Sequence, residues 1–195
     1  AADLPQGDWP FELVQIHNPR PQGFGANHNQ AFRRAVGEGF CVLNPDIELK
    51  DPRLWPALAA RLREPGVGAL APRLLNADGS AQDHRRALVT PWALFKRRVL
   101  RRPDARVDWF SASFLLMPAA AYREVGGFDE GFHMYCEDVD LCLRLRLAGL
   151  RLDCVEASAT HHAQRASLRS WRPLAWHLSS LARLWTRRSY WNYLL

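Results

Sequence analysis

An α/β fold, a central sheet flanked by helices, is the class this sequence predicts, and three stretches point to it. The run Phe40-Cys41-Val42-Leu43 has the short, wholly apolar character of a buried parallel strand, and it stops at Asn44-Pro45-Asp46. Gly23-Phe24-Gly25-Ala26-Asn27-His28-Asn29 turns the chain into a helix reaching about Gly37. From Glu137 to about Leu150 the apolar residues recur with helical period, and Gly149 closes the run.

The remaining elements follow in order. Phe11-Glu12-Leu13-Val14-Gln15-Ile16 predicts a strand ending at the loop Asn18-Pro19-Arg20-Pro21. Asp51 caps a helix from about Pro52 to Glu64. Gly66 to Pro72 predicts a short strand, and Asn76-Ala77-Asp78-Gly79 a tight hairpin turn. Residues 80–106 are Arg-rich, weakly patterned and broken by Pro91 and Pro103, which predicts a surface loop with a helical piece. Val107 to Met117 predicts a core strand, Pro118 to Val125 a short helix, and Leu152–Val155 and Ser158–His161 two short strands.

A chain of 195 residues, 48% hydrophobic and 11% aromatic, suits one globular domain with a substantial core. No apolar run reaches the roughly 18 residues a spanning helix needs, and no signal peptide is visible. Cys41, Cys136, Cys142 and Cys154 form no CxxC pair or metal-ligand spacing, which points to reduced buried thiols in the cytosol. The net charge of +6 is uneven: after Glu156 there is no acid, while Arg165, Arg169, Arg172, Arg183, Arg187 and Arg188 follow. Trp171, Trp176, Trp185 and Trp191, half of the eight tryptophans, lie in the same stretch. Residues 164–195 therefore read as a basic, amphipathic helical tail on a domain of residues 1–163. Arg, Trp and Leu together suit a contact with an anionic membrane surface, and no nucleic-acid-binding motif appears. Leu174, Leu178, Leu181 and Trp185 align on one helical face, which would equally dock on the domain itself.

The chemistry-bearing stretch is Phe128 to Cys142, where Asp129, Glu130, Glu137, Asp138 and Asp140 are threaded through aromatic and aliphatic residues. Carboxylates kept beside apolar groups are costly unless paired, and chemistry is a common reason to keep them. At about 100° per residue Asp138 shares a helix side with Leu141, Cys142 and Leu145, so it is the inward-facing acid. Glu137, Asp140 and Arg144 fall on the opposite side, with Asp140 and Arg144 a favourable i,i+4 pair. The plainer reading is a helix N-terminus decorated with acids to suit its dipole. Asn44 and Asp46 stand at the carboxyl end of a strand, where open α/β sheets bind ligands, and suit a hard divalent cation on phosphate oxygens or simply an Asn-Pro-Asp turn. The Gly-Asn turn at Gly25 and Asn29 suits a backbone approaching a ligand, or only a capped turn. His161-His162 reads as structural or solvated more readily than as ligands.

Three segments in this order resemble the family 2 glycosyltransferases, especially the rhamnosyltransferase-like branch that builds bacterial surface polysaccharides. They are Gly23 to Asn29, Leu43-Asn44-Pro45-Asp46, and Gly126-Gly127-Phe128-Asp129-Glu130 continuing through Tyr135-Cys136-Glu137-Asp138-Val139-Asp140-Leu141-Cys142-Leu143-Arg144. The resemblance implies a GT-A type, Rossmann-like fold with a mixed, mainly parallel sheet. It also implies inverting transfer of a sugar, rhamnose in much of the branch, from a dTDP- or UDP-sugar donor to a glycan or polyprenyl-linked acceptor. Asp46 matches the last acid of the family's metal motif, with Asn44 in place of the first, and His161 matches a further metal position for Mg²⁺ or Mn²⁺. Asp138 matches the general base, in agreement with the helix-face reading, with Glu137 or Asp129 orienting the acceptor. Gly25 and Asn29 fall at the donor, and Asp108 and Trp109 at the acceptor or sugar. Two departures stand out: no family-type strand and Asp-Asn-x-Ser turn precede Phe11, so the expectation is an N-terminally truncated domain, and Ala112 stands where Gly is usual. The expected setting is the inner face of the plasma membrane, held peripherally. The rival readings are a catalytically incomplete glycan- or partner-binding module and a metal-dependent nucleotide-sugar hydrolase.

Overall fold

The computed structural model describes residues 7, 10–99, 106–162 and 171–195. At its centre β3 (Val67–Leu75) pairs in parallel with β7 (Arg151–His161). β6 (Phe114–Pro118) lies antiparallel on the other side of β3, and β1 (Gly39–Leu43) antiparallel beyond it. β2 (Ile47–Glu48) closes the far edge against β7, giving the order β1-β6-β3-β7-β2. Hence β1, β3 and β7 run one way, with β6 inserted antiparallel among them. The Phe40 strand, read as having parallel neighbours, sits instead at the sheet's edge with antiparallel β6 as its partner. An apolar run reports burial and carries nothing about the direction of the strand beside it.

Strand alternation builds two cores from one sheet. Leu70, Leu74, Phe114 and Leu116 face one side, where α2 (Leu54–Leu62) buries Leu54 and Leu58 on them. Ala69, Ala71, Leu115 and Met117 face the other, under Leu141 and Leu145 of α5 (Glu137–Leu147). The two strands expected between Leu152 and His161 are one, with an irregularity where pairing steps from Ala71–Cys154 to Arg73–Ser158. Pro72 lies at that step and has no N–H for the ladder.

Three expectations change. Phe11–Ile16 forms no strand, and Phe11 and Val14 are exposed; an alternating pattern needs a sheet edge beside it, and no described strand pairs there. The Val107–Met117 strand splits into β5 (Trp109–Phe110) and β6, because the Ser111 amide bonds the His84 carbonyl at 2.9 Å and the chain turns through Ala112. β5 pairs with β4 (Arg85–Arg86), and Gln82, His84 and Leu88 are buried, so the first part of the expected surface loop is interior. After it comes α3 (Pro91–Arg98), with Trp92 and Phe95 exposed; residues 100–105 lie outside the described residues.

Around this body pack α1 (Phe24–Phe32), α4 (Ala119–Glu124), α6 (Trp171–Thr186) and α7 (Arg188–Leu194). Leu181, Leu184 and Tyr190 are buried in the same core as Leu115 and Leu141. The Trp185 indole and the Tyr190 hydroxyl both donate to the Val89 carbonyl. The C-terminal helices thus dock on the domain, while Trp171, Leu174 and Leu178 at the start of α6 stay exposed. Arg165 and Arg169 lie outside the described residues.

Docking is fastened by charge. Asp140 has no exposed surface; it accepts from Arg144 at 2.8 Å, the Ser189 hydroxyl at 2.7 Å and Arg187 at 3.5 Å. Removing one member of a buried, hydrogen-bonded ion cluster leaves its partner charged without compensation. Asp140→Ala should therefore lower the unfolding free energy by about 3–5 kcal/mol, read as the shift in a urea denaturation midpoint.

Candidate active site

β1 ends at Asn44-Pro45-Asp46, and the short β2 that follows pairs Ile47 with His161 at the end of β7. The His162 amide donates to the Asp46 carbonyl at 3.1 Å. Those backbone bonds set Asp46 Oδ2 3.2 Å from His161 Nε2. Neither Asp46 Oδ1 nor His161 Nε2 has a hydrogen-bond partner, while His161 Nδ1 meets Gln82 Oε1 at 2.9 Å. A carboxylate and an imidazole set side by side, each with one buried polar atom left without a partner, suit a divalent cation. Among the described residues no group of three His, Cys, Asp or Glu forms a cage. Mg²⁺ and Mn²⁺ sites that take one or two protein ligands and complete themselves with water and phosphate oxygens fit that donor set.

The second half of the site is the start of α5. Tyr135 and Cys136 adopt φ of 71° and 64°, the left-handed region that non-glycine residues enter at a cost on the order of 1–3 kcal/mol each. This kink delivers Glu137 and Asp138. The Asp138 carboxylate is half-buried, accepting from the Val139 amide at 2.9 Å and the Ala112 amide at 3.3 Å. Glu137 is buried beside it, with Oε2 unpartnered. Burial pushes both carboxyls above the ordinary carboxylate range. The Asp138 charge adds to the effect on Glu137, and the Val139 and Ala112 amides and Arg86 oppose it on Asp138. The helix-side reading needs correction: Glu137 and Asp140 are not on a solvent face, because α7 covers that side of α5 and fully buries Asp140.

One turn joins the halves. The Ala112 amide holds Asp138, and the carbonyl of the next residue, Ser113, accepts the Asn44 amide at 2.8 Å. Asn44, Asp46, His161, Glu137 and Asp138 therefore gather at one end of the sheet.

The other predicted residues are engaged elsewhere. Asp108 is buried, accepting from the Leu88 amide and the Tyr193 hydroxyl at 2.7 Å each. Trp109 donates its indole N–H to the Ala87 carbonyl at 2.8 Å, with the Arg86 guanidinium 5.5 Å from its ring centroid. The acceptor-facing Asp and open stacking face expected there are thus internal braces. Gly25 is buried where a Cβ would come within 2.6 Å of Phe128 Cβ. The Asn29 amide nitrogen donates to the Phe128 carbonyl and Glu130, and its oxygen accepts from Tyr122 and the Phe128 amide, so it clamps the Gly126–Glu130 loop. With Asp129, Arg144 and Arg187 it lines a cavity of about 380 Å³ that neither Asp46 nor Asp138 reaches. Asp129 pairs with Arg183 at 3.0 Å and Arg187 at 3.4 Å. Burial works against its charge, but the Gly131 amide and those guanidiniums outweigh it and hold its carboxyl below the usual range. Two residues the sequence did not flag contribute: Gln82, beside His161, and Arg86, whose charge acts on Asp138. Neither sits in a pattern that a single sequence singles out.

Residues 6–184 match the glycosyltransferase like family 2. The chain belongs to that family. Among its curated relatives, the rhamnosyltransferase WbbL of Escherichia coli (strain K12) is 45% identical over 87 residues, covering 44% of this chain and 33% of that protein. The N-acetylglucosaminyl-diphospho-decaprenol L-rhamnosyltransferase of Mycobacterium tuberculosis is 34% identical over 146 residues, covering 65% of this chain and 48% of that protein. This family 2 chain thus spans less than half the length of either. A mannosyltransferase of Pyrobaculum calidifontis, solved with GDP-Man and Mn²⁺, superposes with a TM-score of 0.57 at 17% identity, over 88% of this chain and 46% of that one. GalNAc-T7, solved with UDP, GalNAc and Mn²⁺, gives 0.60 at 15%, over 88% and 36%. Both likenesses concern the fold, which is GT-A-like.

A carboxyl whose pKa is raised by folding favours the native state below its ordinary pKa, and that contribution is lost as pH rises through the raised value. The contribution of Glu137 and Asp138 to the stability of this glycosyltransferase family member should therefore fall from the ordinary carboxylate range upward. Glu137→Gln should flatten that fall and make the protein more stable than wild type at mildly alkaline pH. Urea midpoints at mildly acidic and mildly alkaline pH measure the difference.

Proposed function

We propose that this site transfers a glycosyl group from a nucleoside-diphosphate sugar to a hydroxyl of a glycan or lipid-linked acceptor, with inversion. The observation that carries the proposal is the single turn, Ala112–Ser113, that holds Asp138 through one amide and the Asp46 loop through the next carbonyl. The acceptor oxygen attacks the anomeric carbon as the bond to the diphosphate breaks, and its proton passes to the Asp138 carboxylate. A base with a pKa raised toward the working pH takes that proton more effectively. Glu137, buried beside it with one unpartnered oxygen, braces the acceptor or shares the proton. A divalent cation, Mg²⁺ or Mn²⁺, on Asp46 and His161 would neutralise the charge gathering on the departing diphosphate. Asn44 fixes that loop's approach to the donor. Two relatives are named as rhamnosyltransferases, one acting on a decaprenol-linked substrate, which supports a rhamnosyl donor and a polyprenyl-linked acceptor.

Contact with an anionic membrane surface at the inner face of the plasma membrane belongs to the same proposal, supported by the exposure of Trp171 (74%), Leu174 (53%) and Leu178 (59%) on α6. No described helix is long and apolar enough to cross a membrane.

Asp138→Asn should lower transfer by roughly 10²–10⁴-fold and leave calorimetric binding of UDP or dTDP with Mn²⁺ unchanged; normal turnover by this variant would sink the assignment. Sugar released without acceptor would instead favour a hydrolase. Asp46→Ala should lose the Mn²⁺-dependent part of nucleotide binding. Because Leu181, Leu184 and Tyr190 belong to the core, the membrane contact is better tested by point changes than by deletion. Trp171→Ser with Leu174→Ser and Leu178→Ser should reduce flotation with anionic liposomes, and equal flotation would remove α6 from the contact.

A further inference from the structure

The tight turn at Asn76–Ser80 was legible only as a hairpin bend, yet it begins a chain of side-chain hydrogen bonds that ends on His161. The Ser80 hydroxyl lies 2.6 Å from Asp78 Oδ1. An ionised carboxylate only accepts, so the hydroxyl must donate to it. Having given its proton there, Ser80 Oγ accepts from the Asn76 amide nitrogen at 2.9 Å. That orients Asn76 with its oxygen toward Gln82, whose amide nitrogen donates to it at 3.2 Å. Gln82 therefore presents Oε1 to His161 Nδ1, at 2.9 Å. Gln82 itself is 9% exposed, with its backbone amide fixed on the Leu74 carbonyl at 2.8 Å. Each link leaves the next one orientation, and an acceptor facing Nδ1 requires the proton on Nδ1.

We propose that Gln82 is a positioning residue: through the Asp78–Ser80–Asn76 relay it locks neutral His161 as the Nδ1–H tautomer, keeping Nε2 unprotonated beside Asp46. The opposite tautomer would put the proton on Nε2, 3.2 Å from Asp46 Oδ2, and leave no donor atom on the ring for a cation beside Asp46. In the locked tautomer Nε2 is an unprotonated, buried nitrogen without a hydrogen-bond partner, open to a cation beside Asp46. Partners that orient a ligating histidine are typically worth about 10–100-fold in metal affinity. The inference rests on the Asp46–His161 reading for its purpose, but the tautomer is a property of the metal-free protein and is measured without metal, donor or acceptor.

The test is long-range ¹H–¹⁵N correlation of the histidine side chains in metal-free protein, at a pH where His161 is neutral, alongside Mn²⁺ titration followed by electron paramagnetic resonance. In wild type, His161 should show a protonated Nδ1 and an unprotonated Nε2. Gln82→Leu should shift the ring toward Nε2–H and weaken Mn²⁺ binding by about 10–100-fold. Gln82→Glu loses the amide donor to Asn76 but keeps an acceptor at His161 Nδ1 and should retain the wild-type tautomer, which separates loss of that acceptor from a general loss of folding. An Nε2–H ring in wild type, or a tautomer unchanged in folded Gln82→Leu, overturns the proposal. The expected tautomers together with no Mn²⁺ binding by wild type would uphold the lock and sink the metal reading instead.

Discussion

Everything at the active end depends on how the first turn of α5 is clamped. Asp138 and Asp140 are two residues apart, so the helix turns them about 200° from each other. One reaches the Ala112 amide at the end of the sheet; the other faces the C-terminal segment, where Arg187 and Ser189 meet it together with Arg144 of α5 itself. Neither acid can shift without dragging the other. The left-handed pair Tyr135–Cys136 raises the energy of this entry, and the Asp140 cluster with the Asp129–Arg183–Arg187 pairs holds it in place. Strain at the turn that delivers Glu137 and Asp138 is thus balanced by ionic contacts on the far side of the helix.

This arrangement recasts the basic C-terminal stretch. Composition alone described a positive, Trp-rich segment, and such a segment satisfies an interior and a membrane about equally well. Arg183 and Arg187 are half-buried and turn their charge onto Asp129 and Asp140 of the domain. The Trp185 and Trp191 indoles are also bonded to carbonyls of this chain, Val89 and Trp185. What faces outward is an apolar set at the start of α6, Trp171, Leu174 and Leu178, together with Trp191 and Leu194 on α7. Helical period aligned Leu174, Leu178, Leu181 and Trp185 correctly, but period says nothing of where along its length a helix leaves the body.

The legible parts of the site were those whose residue types are expensive to keep where the pattern put them. Asp138 among apolar neighbours and Asp46 at the end of an apolar strand announced themselves through desolvation cost, and the fold brings both to one end of the sheet. Asp108 and Trp109 carried the same signal and are braces, because a buried carboxylate satisfied by an amide and a tyrosine is indistinguishable in sequence from one awaiting a substrate. Asn29 is a similar case: its carboxamide is consumed by four partners that lie about a hundred residues away. Gln82 was illegible for the opposite reason. A glutamine after a turn is unremarkable until the parallel β3–β7 pairing sets that turn beside His161.

The two halves of the site also demand different things of their surroundings. At Asp46 and His161 there are buried polar atoms without hydrogen-bond partners, which suits a cation. At Glu137 and Asp138 it is carboxyls whose burial favours the protonated form, which call for a proton. A diphosphate brought alone to this end would add negative charge beside Asp46 and favour the protonated forms of Glu137 and Asp138 further, with Arg86 as the cation that acts on Asp138. At an effective dielectric of about 20, like charges about 4 Å apart repel by roughly 4 kcal/mol. On the proposed reading, a cation at Asp46 therefore does more than assist departure: it reverses the sign of the field that the donor meets. The proton left to move is then the acceptor's, and the carboxylate best placed to take it is the one the Ala112 amide already holds.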